Sequence, residues 1–172
     1  MRKHFLALSL VMTVIVAGCG YKLSPGGENI DPGISLVFID SFENKTPEAY
    51  VEIYFRNAFS DQFRRTSRFR LAESKTTADA VLRGGVNGLS FTPLSYTRSD
   101  FATEERATLT VAVIFQDRNK EIIWRNDSLS GYQDYKVDTS NAALTEQNRR
   151  AALQKLASDM AERAFRSMMS GF

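Results

Sequence analysis

Residues 108–115 alternate between two kinds of side chain, and this pattern limits the folds open to the chain more than any other. The apolar set is Leu109, Val111, Val113 and Phe115, and the opposite set is Thr108, Thr110 and Ala112. Successive side chains of a β-strand point to opposite faces, so this segment predicts a strand with one buried face and one face left for solvent or a partner.

Four other segments have strand character. Ile34–Ile39 is a compact β-branched and aromatic run, and Phe69–Leu71 is a short second candidate. Residues 80–89 contain three glycines without the sequence of a phosphate-binding loop, which favours a bulged or bent strand. A polar turn at 117–120 is followed by a returning strand that runs from Ile122 to about Tyr132.

Two segments have the 3.6-residue periodicity of amphipathic helices. The first runs from Glu48 to about Arg65, with Thr46 as its N-cap and Pro47 at its first position. Its apolar face comprises Val51, Tyr54, Phe55, Ala58, Phe59 and Phe63. The second begins at Ala142 or Glu146 and ends at Ser170. Its apolar face alternates large residues with alanine, which favours close packing on a sheet.

The order of these elements predicts an α+β fold for residues 34–172, which form a single domain. We expect a two-layer sandwich in which two amphipathic helices cover one face of a mixed sheet of about four strands. The predicted order is β-α-β-β-β-α, with one extra short strand allowed. Two polar segments, Phe91–Arg106 and Tyr132–Asn141, are interpreted as long loops, and long loops of compact domains often carry function.

The amino-terminal segment has the parts of an export signal. Arg2 and Lys3 precede an apolar run from Phe5 to Ala17, which is too short for a bilayer that requires about 20 residues. The run ends in Val16-Ala17-Gly18-Cys19, which resembles a bacterial lipobox. We therefore expect residues 1–18 to be removed and residues 19–33 to form a lipidated tether, with an S-diacylglyceryl and an N-acyl group on Cys19. An ordinary signal peptide with a cysteine placed there by chance is the alternative.

The expected mature chain has few reactive groups. Loss of Arg2 and Lys3 leaves 20 basic residues to balance 20 acidic residues, so no overall charge attracts nucleic acid. The chain has one histidine, His4, which leaves with the signal, and one cysteine, whose sulfur is acylated. This inventory excludes histidine-dependent and thiol hydrolases and disulfides, whereas an enzyme based on carboxylates such as Glu104 and Glu105 remains open.

Four features of the chain resemble the LptE-type lipopolysaccharide-assembly lipoproteins. They are the start Gly18-Cys19-Gly20-Tyr21 with Leu23, the strand and turn at 39–46, the segment Ala78-Asp79-Ala80-Val81-Leu82-Arg83-Gly84, and the hairpin before the long final helix. Together they cover almost the whole expected mature chain.

The resemblance implies a non-enzymatic lipoprotein of the outer membrane without cofactors. Its partners would be the membrane through the lipid anchor, lipopolysaccharide, and an outer-membrane β-barrel of the LptD type, which it plugs and helps to assemble. Basic residues in loops would contact lipopolysaccharide, and Arg98 and Lys136 lie in the two predicted loops. The residue after Cys19 is Gly20 rather than the aspartate that commonly signals inner-membrane retention in lipoproteins of this type, which favours delivery to the outer membrane. The alternative is a periplasm-facing accessory or activator of another envelope complex.

Overall fold

The computed structural model describes residues 30–96 and 102–170 and, in these ranges, one sheet and two helices. The elements in chain order are β1 Leu36–Ile39, β2 Glu43–Asn44, α1 Val51–Arg64, β3 Arg70–Leu71, β4 Ala80–Tyr96, β5 Ala102–Asp117, β6 Ile122–Lys136 and α2 Ala142–Ser170.

The sheet has a parallel part and an antiparallel part. Its strand order is β3-β1-β4-β5-β6, and β2 also pairs with β4. β1 and β2 lie parallel to β4 along the same edge, at residues 80–82 and 85–86 respectively. The long strands β4, β5 and β6 form an antiparallel meander. The α+β class and the mixed sheet are thus confirmed, but β2 was absent from the predicted order.

The glycine-rich part of β4 is bulged, as its sequence predicted. The register with β5 shifts between Val86 and Gly88, where one extra residue enters β4. Gly84 is required for packing rather than for bending, since a Cβ there would lie 2.4 Å from Phe42 Cε1 and 2.6 Å from the Ala112 carbonyl oxygen.

The strands β4, β5 and β6 extend into both segments that were predicted to be loops. β4 continues to Tyr96 and β5 begins at Ala102, so most of Phe91–Arg106 is strand. β6 continues to Lys136, which leaves residues 137–141 as the connection to α2. Both loop predictions were wrong in extent. The face of these strands that no described helix covers has hydroxyl and charged side chains, and these obscure the apolar–polar alternation typical of a strand.

Helix α1 begins at Val51, three residues later than its pattern indicated. Asn44 holds the preceding segment in a turn, accepting hydrogen bonds from Thr46 N at 2.9 Å and Thr46 Oγ1 at 2.8 Å. The Asn44 side-chain amide donates to the Glu48 carbonyl at 2.7 Å. Tyr50, with φ of 69°, then occupies the N-cap position without a side-chain cap, so Thr46 is not the N-cap.

Both helices pack on one face of the sheet, as predicted, and they run in the same direction. Arg149 near the start of α2 lies 4.0 Å from Glu48, just before α1, and the Phe63 and Phe165 rings near the two helix ends contact at 5.0 Å. Phe63 also contacts Phe69 and Phe115, and joins both helices to the sheet. Burial of the predicted apolar face of each helix is confirmed.

Gly131 on β6 permits the close approach of α2. A Cβ at this position would lie 2.7 Å from Arg163 Nη2, 2.9 Å from Met160 Cγ and 3.0 Å from Leu156 Cδ1. The alanines on the sheet side of α2 act in the same way, since Ala157 and Ala161 are fully buried. Small residues on both elements therefore set the spacing between helix and sheet.

The two ends of the long strands differ in what they join. At the end that we call the entry end, the described chain begins at Ile30 beside the β5–β6 turn, residues 117–121. At the opposite, far end, β6 finishes at Lys136 and residues 137–141 lead into α2. The strands separate these ends by about 45 Å, at about 3.3 Å per residue.

Asp79 fixes the entry end. One carboxylate oxygen accepts hydrogen bonds from Leu36 N at 2.8 Å and Ser35 N at 3.1 Å, and the other accepts from Arg118 Nη2 at 2.6 Å. The backbone donors of Leu36 and Ser35, followed by the Arg118 charge, lower the pKa of Asp79. One side chain thus links β1, β4 and the β5–β6 turn.

Candidate interaction surface

Of the three residues that the sequence singled out, one lies in the described ranges. Cys19 and Arg98 fall outside the described residues, so their predicted roles remain predictions. Lys136 is described and is the last residue of β6, with an exposed side chain.

Lys136 has a fixed backbone and a side chain without an ion-pair partner among the described residues. Its carbonyl accepts a hydrogen bond from Asn148 Nδ2 on α2 at 3.0 Å. Opposite it on β5 is Glu104, the nearest acidic position in the register. Within residues 30–96 and 102–170, no carboxylate lies within 4.0 Å of the Lys136 ammonium group. This cation is therefore held at a defined place and remains available to an anion.

The turn after Lys136 is held by hydrogen bonds of its own side chains. Asp138 accepts bonds from the Ser140 hydroxyl at 2.7 Å and the Ser140 N–H at 2.9 Å, and these two bonds lower the pKa of Asp138. Thr145 Oγ1 accepts from Asp138 N and donates to the Asp138 carbonyl. Val137 N donates to the Thr103 carbonyl at 3.0 Å. The far end is an ordered platform.

A polar cluster supports this platform from the helix-covered side. The Tyr135 hydroxyl donates to Glu105, and burial together with this bond raises the pKa of Tyr135. Arg149 pairs with Glu48 at 4.0 Å and lies over the Phe91 ring at 5.3 Å. The cluster therefore connects the start of α1, all three long strands and α2. It keeps Tyr135 protonated, so this phenol is unsuited to act as a base.

The other face of the three long strands has no helix on it within the described residues, and we call it the open face. By the register, its side chains are Val81, Arg83, Ser90, Thr92, Ser95, Glu104, Arg106, Thr108, Thr110, Ala112, Ile114, Gln116, Ile122, Arg125, Ser130, Tyr132, Asp134 and Lys136. Hydroxyl and charged groups dominate this set. A face of this kind suits contact with water or with a polar protein surface.

Arg106 forms the most ordered cluster on the open face. Its Nε and Nη2 donate to the two Asp134 oxygens at 2.7 and 2.9 Å, and its guanidinium lies 4.0 Å from the centre of the Tyr132 ring. The hydrogen bonds from Arg106 lower the pKa of Asp134. Tyr132 is 60% exposed, which is high for a large aromatic residue. The pair thus holds a flat aromatic ring on a mainly hydrophilic face.

The outer edge of β6 is blocked over its second half. The Ser130 carbonyl accepts a bond from Arg163 Nη2 at 2.9 Å, and the carbonyls of Asp134 and Lys136 accept from Gln133 and Asn148. Side chains that occupy edge carbonyls prevent another strand from pairing there. The open face, rather than this edge, is therefore the better surface for a large partner.

The described residues hold neither a metal site nor a membrane-spanning helix. In residues 30–96 and 102–170, no three His, Cys, Asp or Glu side chains are close enough together to bind a metal ion. Over the same ranges, neither helix combines the length and apolar character needed to cross a bilayer.

The open-face cluster and the far-end network were missed in the sequence. A partial signal exists for the first, because Arg106 continues the alternation of Thr108 and Thr110 by two residues. No signal exists for the contact of Tyr135 with Glu105, which depends on the register of two strands. Lys136 was assigned to a loop in the sequence, whereas it is the last residue of β6, and its role remains a prediction.

Comparisons with solved structures identify the fold. The rare lipoprotein B of Shewanella oneidensis is 15% identical, with a TM-score of 0.54, over 80% of this chain and 96% of that chain. A putative lipoprotein of Caulobacter crescentus CB15 is 12% identical, with a TM-score of 0.54, over 76% and 89%. Lipoprotein B of Nitrosomonas europaea is 13% identical, with a TM-score of 0.50, over 80% and 84%. At such identities, the likeness concerns the fold.

The family assignment comes from the sequence over most of the described domain. No curated protein is significantly similar to the whole chain. Residues 35–168 match the family model LptE, whose description is lipopolysaccharide-assembly. This range extends from just before β1 almost to the end of α2. The chain therefore belongs to the LptE family of lipopolysaccharide-assembly proteins.

Proposed function

We propose that this protein is a lipid-anchored, non-enzymatic component of lipopolysaccharide assembly that works at the outer membrane inside an LptD-type β-barrel. The family match over residues 35–168 is the observation that carries this proposal. Three separate elements make up the proposal: the anchor, the barrel partner and the contact with lipopolysaccharide.

The anchor is proposed at Cys19. Support comes from the lipobox-like sequence Val16-Ala17-Gly18-Cys19 and from the lipoproteins among the structural relatives. Two or three acyl chains hold a protein on a membrane almost permanently, whereas one chain binds marginally. We expect Cys19→Ser to release the domain into the soluble fraction with its fold unchanged. Detergent-dependent extraction of this variant, measured by fractionation, would contradict the anchor.

The barrel partner is proposed to surround the domain and to contact its open face. A barrel lumen is lined by polar side chains, and the open face offers hydroxyl groups and paired charges such as Arg106–Asp134. The balanced charge of the expected mature chain also suits insertion into a closed polar lumen. Purification in mild detergent should recover a large outer-membrane β-barrel with this protein. Recovery of the protein without such a barrel would contradict the proposal that it plugs one.

Lipopolysaccharide is proposed to contact Lys136 at the far end, and Arg98 is proposed as the second cation. Lipid A phosphates form charge-assisted hydrogen bonds with lysine and arginine, and the Lys136 ammonium has no ion pair within the described ranges. The ordered turn at 137–141 holds the backbone in place, so binding would cost little loop ordering.

The test is lipopolysaccharide binding by Arg98→Glu with Lys136→Glu. A hydrogen bond to a charged group contributes about 1.5–3 kcal/mol, so each reversal should weaken binding by about tenfold or more with unchanged thermal stability. Lys120→Glu is the matched control, because Lys120 is also exposed and unpaired within the described residues but lies at the entry end. Unchanged binding by the double variant would reject these two residues.

A further inference from the structure

We propose that the entry end of the domain is a second binding surface, one that contacts the phosphate headgroups of the membrane leaflet holding the acyl anchor. This inference rests on the proposed lipid attachment at Cys19. It concerns the end of the molecule opposite Lys136, and its binding partner is a lipid surface rather than lipopolysaccharide or a barrel.

The first observation is where the chain enters the domain. Ile30 is only 2% exposed, and its carbonyl accepts a hydrogen bond from Arg68 Nη2 at 2.6 Å. Ile34 N then donates to the Asp31 carbonyl at 3.0 Å, and Gly33 N to the Asp31 carboxylate at 2.7 Å. The chain is therefore fixed to the entry end from Ile30 onward.

The second observation is the short distance along the chain from this point to the anchor. Only ten residues, 20–29, lie between Cys19 and Ile30, so the two are 11 Cα-to-Cα steps apart. A chain of 11 residues spans at most about 40 Å when fully extended, and about 18 Å on average when unstructured. The far end lies about 45 Å further on, along the strands. The anchor thus keeps the entry end closer to the headgroups than the far end.

The third observation is that the β5–β6 turn lies beside the entry point and is stiff. Residues of the 31–34 segment and of 117–123 line one cavity of about 680 Å³. Within the turn, Asp117 accepts a bond from Glu121 N at 2.8 Å and donates its own N–H to the Glu121 carbonyl at 3.0 Å. Lys120 has φ of 68°, which holds it at the tip of a defined turn.

The charges at this end leave two cations available. Four basic residues line a neighbouring cavity of about 760 Å³, namely Lys75, Arg83, Arg118 and Lys120. Lys75 pairs with Asp40, and Arg118 pairs with Asp79 at 2.6 Å. No described residue forms an ion pair with Arg83 or Lys120. Each cation near an anionic lipid surface strengthens binding by about fivefold.

An exposed apolar residue accompanies these cations. Ile122 is 55% exposed and borders both cavities, two residues after Lys120. An apolar side chain beside unpaired cations suits the boundary between headgroups and acyl chains. There the apolar side chain enters the acyl layer and the cations contact phosphate. The carboxylates of Asp31, Asp117 and Glu121, which form no ion pair among the described residues, oppose this attraction, so Glu121→Gln should strengthen it.

The experiment measures how close each end of the full acylated protein lies to the headgroups. The protein is placed in vesicles of phosphatidylethanolamine and phosphatidylglycerol that contain a lipid with a nitroxide quencher on its headgroup. A fluorophore is attached at Asn119→Cys in the entry-end turn or, as the matched control, at Thr139→Cys in the exposed far-end turn. An acylated Cys19 leaves the new cysteine as the single free thiol.

We expect several-fold stronger quenching at position 119 than at position 139. Lys120→Glu combined with Ile122→Ser should reduce the quenching at 119 toward the level at 139, whereas Lys136→Glu should leave it unchanged. Equal quenching at both positions, stronger quenching at 139, or no effect of the entry-end variants would overturn the inference.

Vesicle flotation separates this inference from the proposed function. Protein that floats with the vesicles while position 119 remains unquenched retains its anchor but lacks the proposed surface. Protein that does not float contradicts the anchor at Cys19 and the surface together. Lipopolysaccharide binding, measured on the same preparations, should depend on Lys136 and not on Lys120.

Discussion

The two faces of the β4–β5–β6 meander have opposite chemistry although they belong to the same strands. Leu109 and Val111 point to the helices and are fully buried, whereas Thr108 and Thr110 between them point to the open face and are half-buried. On the covered face, aromatic rings and small residues interlock. On the open face, hydroxyl groups and ion pairs such as Arg106–Asp134 are partly exposed. Folding free energy is therefore concentrated on one face, and the other is free to adapt to partners.

The largest expected effect is the removal of a ring from the covered face. Phe63 is 1% exposed and contacts Phe69, Phe115 and Phe165. Phe63→Ala should lower the free energy of unfolding by about 3–5 kcal/mol, because a cavity is left where α1, α2 and β5 meet. Chemical denaturation measures this value. A loss below 1 kcal/mol would mean that the covered face does not concentrate the stability as we describe.

Overpacking the covered face should have the next largest effect. Gly131→Val places side-chain atoms where Met160 Cγ lies 2.9 Å from the Cβ position, so the free energy of unfolding should fall by about 1–3 kcal/mol. Ser130→Val is the control, because the neighbouring residue points to the open face and should change stability by less than about 0.5 kcal/mol. Equal losses of unfolding free energy in the two variants would contradict the proposed difference in packing between the two faces.

Asp79 should make stability depend on pH. The bonds from Leu36, Ser35 and Arg118 lower its pKa in the folded state, so its contribution is complete above the unfolded-state pKa of about 4 and is lost as the pH falls through the folded-state value. Asp79→Asn should cost about 1–2 kcal/mol at pH 7, since bonds to a charged acceptor are lost. Urea midpoints from pH 7 to pH 2 should converge for the variant and the natural protein. A constant difference would contradict this role.

The smallest effect on stability is expected on the open face. Arg106→Ala removes a partly exposed ion pair and should change the free energy of unfolding by less than about 1 kcal/mol. It should nevertheless reduce recovery of the barrel in mild detergent, because Tyr132 loses the guanidinium that orders its ring. Arg166→Ala is the control, because it removes an exposed ion pair with Glu162 on α2, away from the open face. Full recovery of the barrel with Arg106→Ala would mean that the barrel contacts another surface of the domain.

The sequence predicts the covered face well because burial imposes a period. The helix faces built on Phe55 and Phe59 in α1 and on Leu153 and Leu156 in α2 are read from spacing alone, and so is the strand at 108–115. Burial on one side of a sheet then leaves few architectures, and the α+β sandwich with both helices on one face follows from them.

The open face and the far end are predicted less well because neither has a period to detect. The outer parts of β4 and β5 contain Pro93, Glu104 and Glu105, which resemble a loop by composition although the chain is extended there. β2 has two residues and owes its pairing to the neighbouring β4. Such features arise from strand register over long sequence separations, which a local pattern does not contain.

The parallel course of the two helices has a further consequence for the electrostatics of the molecule. Each helix has a positive pole of about half an elementary charge at its first turn, and both poles lie at the far end. Glu52 offsets the pole of α1, but the first turn of α2 contains no acidic residue. The two helices therefore give the molecule one dipole direction, and the Asp138 carboxylate, which accepts a backbone hydrogen bond from Asn141, offsets part of the second pole. An anionic lipid bound at this end, as proposed, would meet the backbone polarity of two helices as well as Lys136.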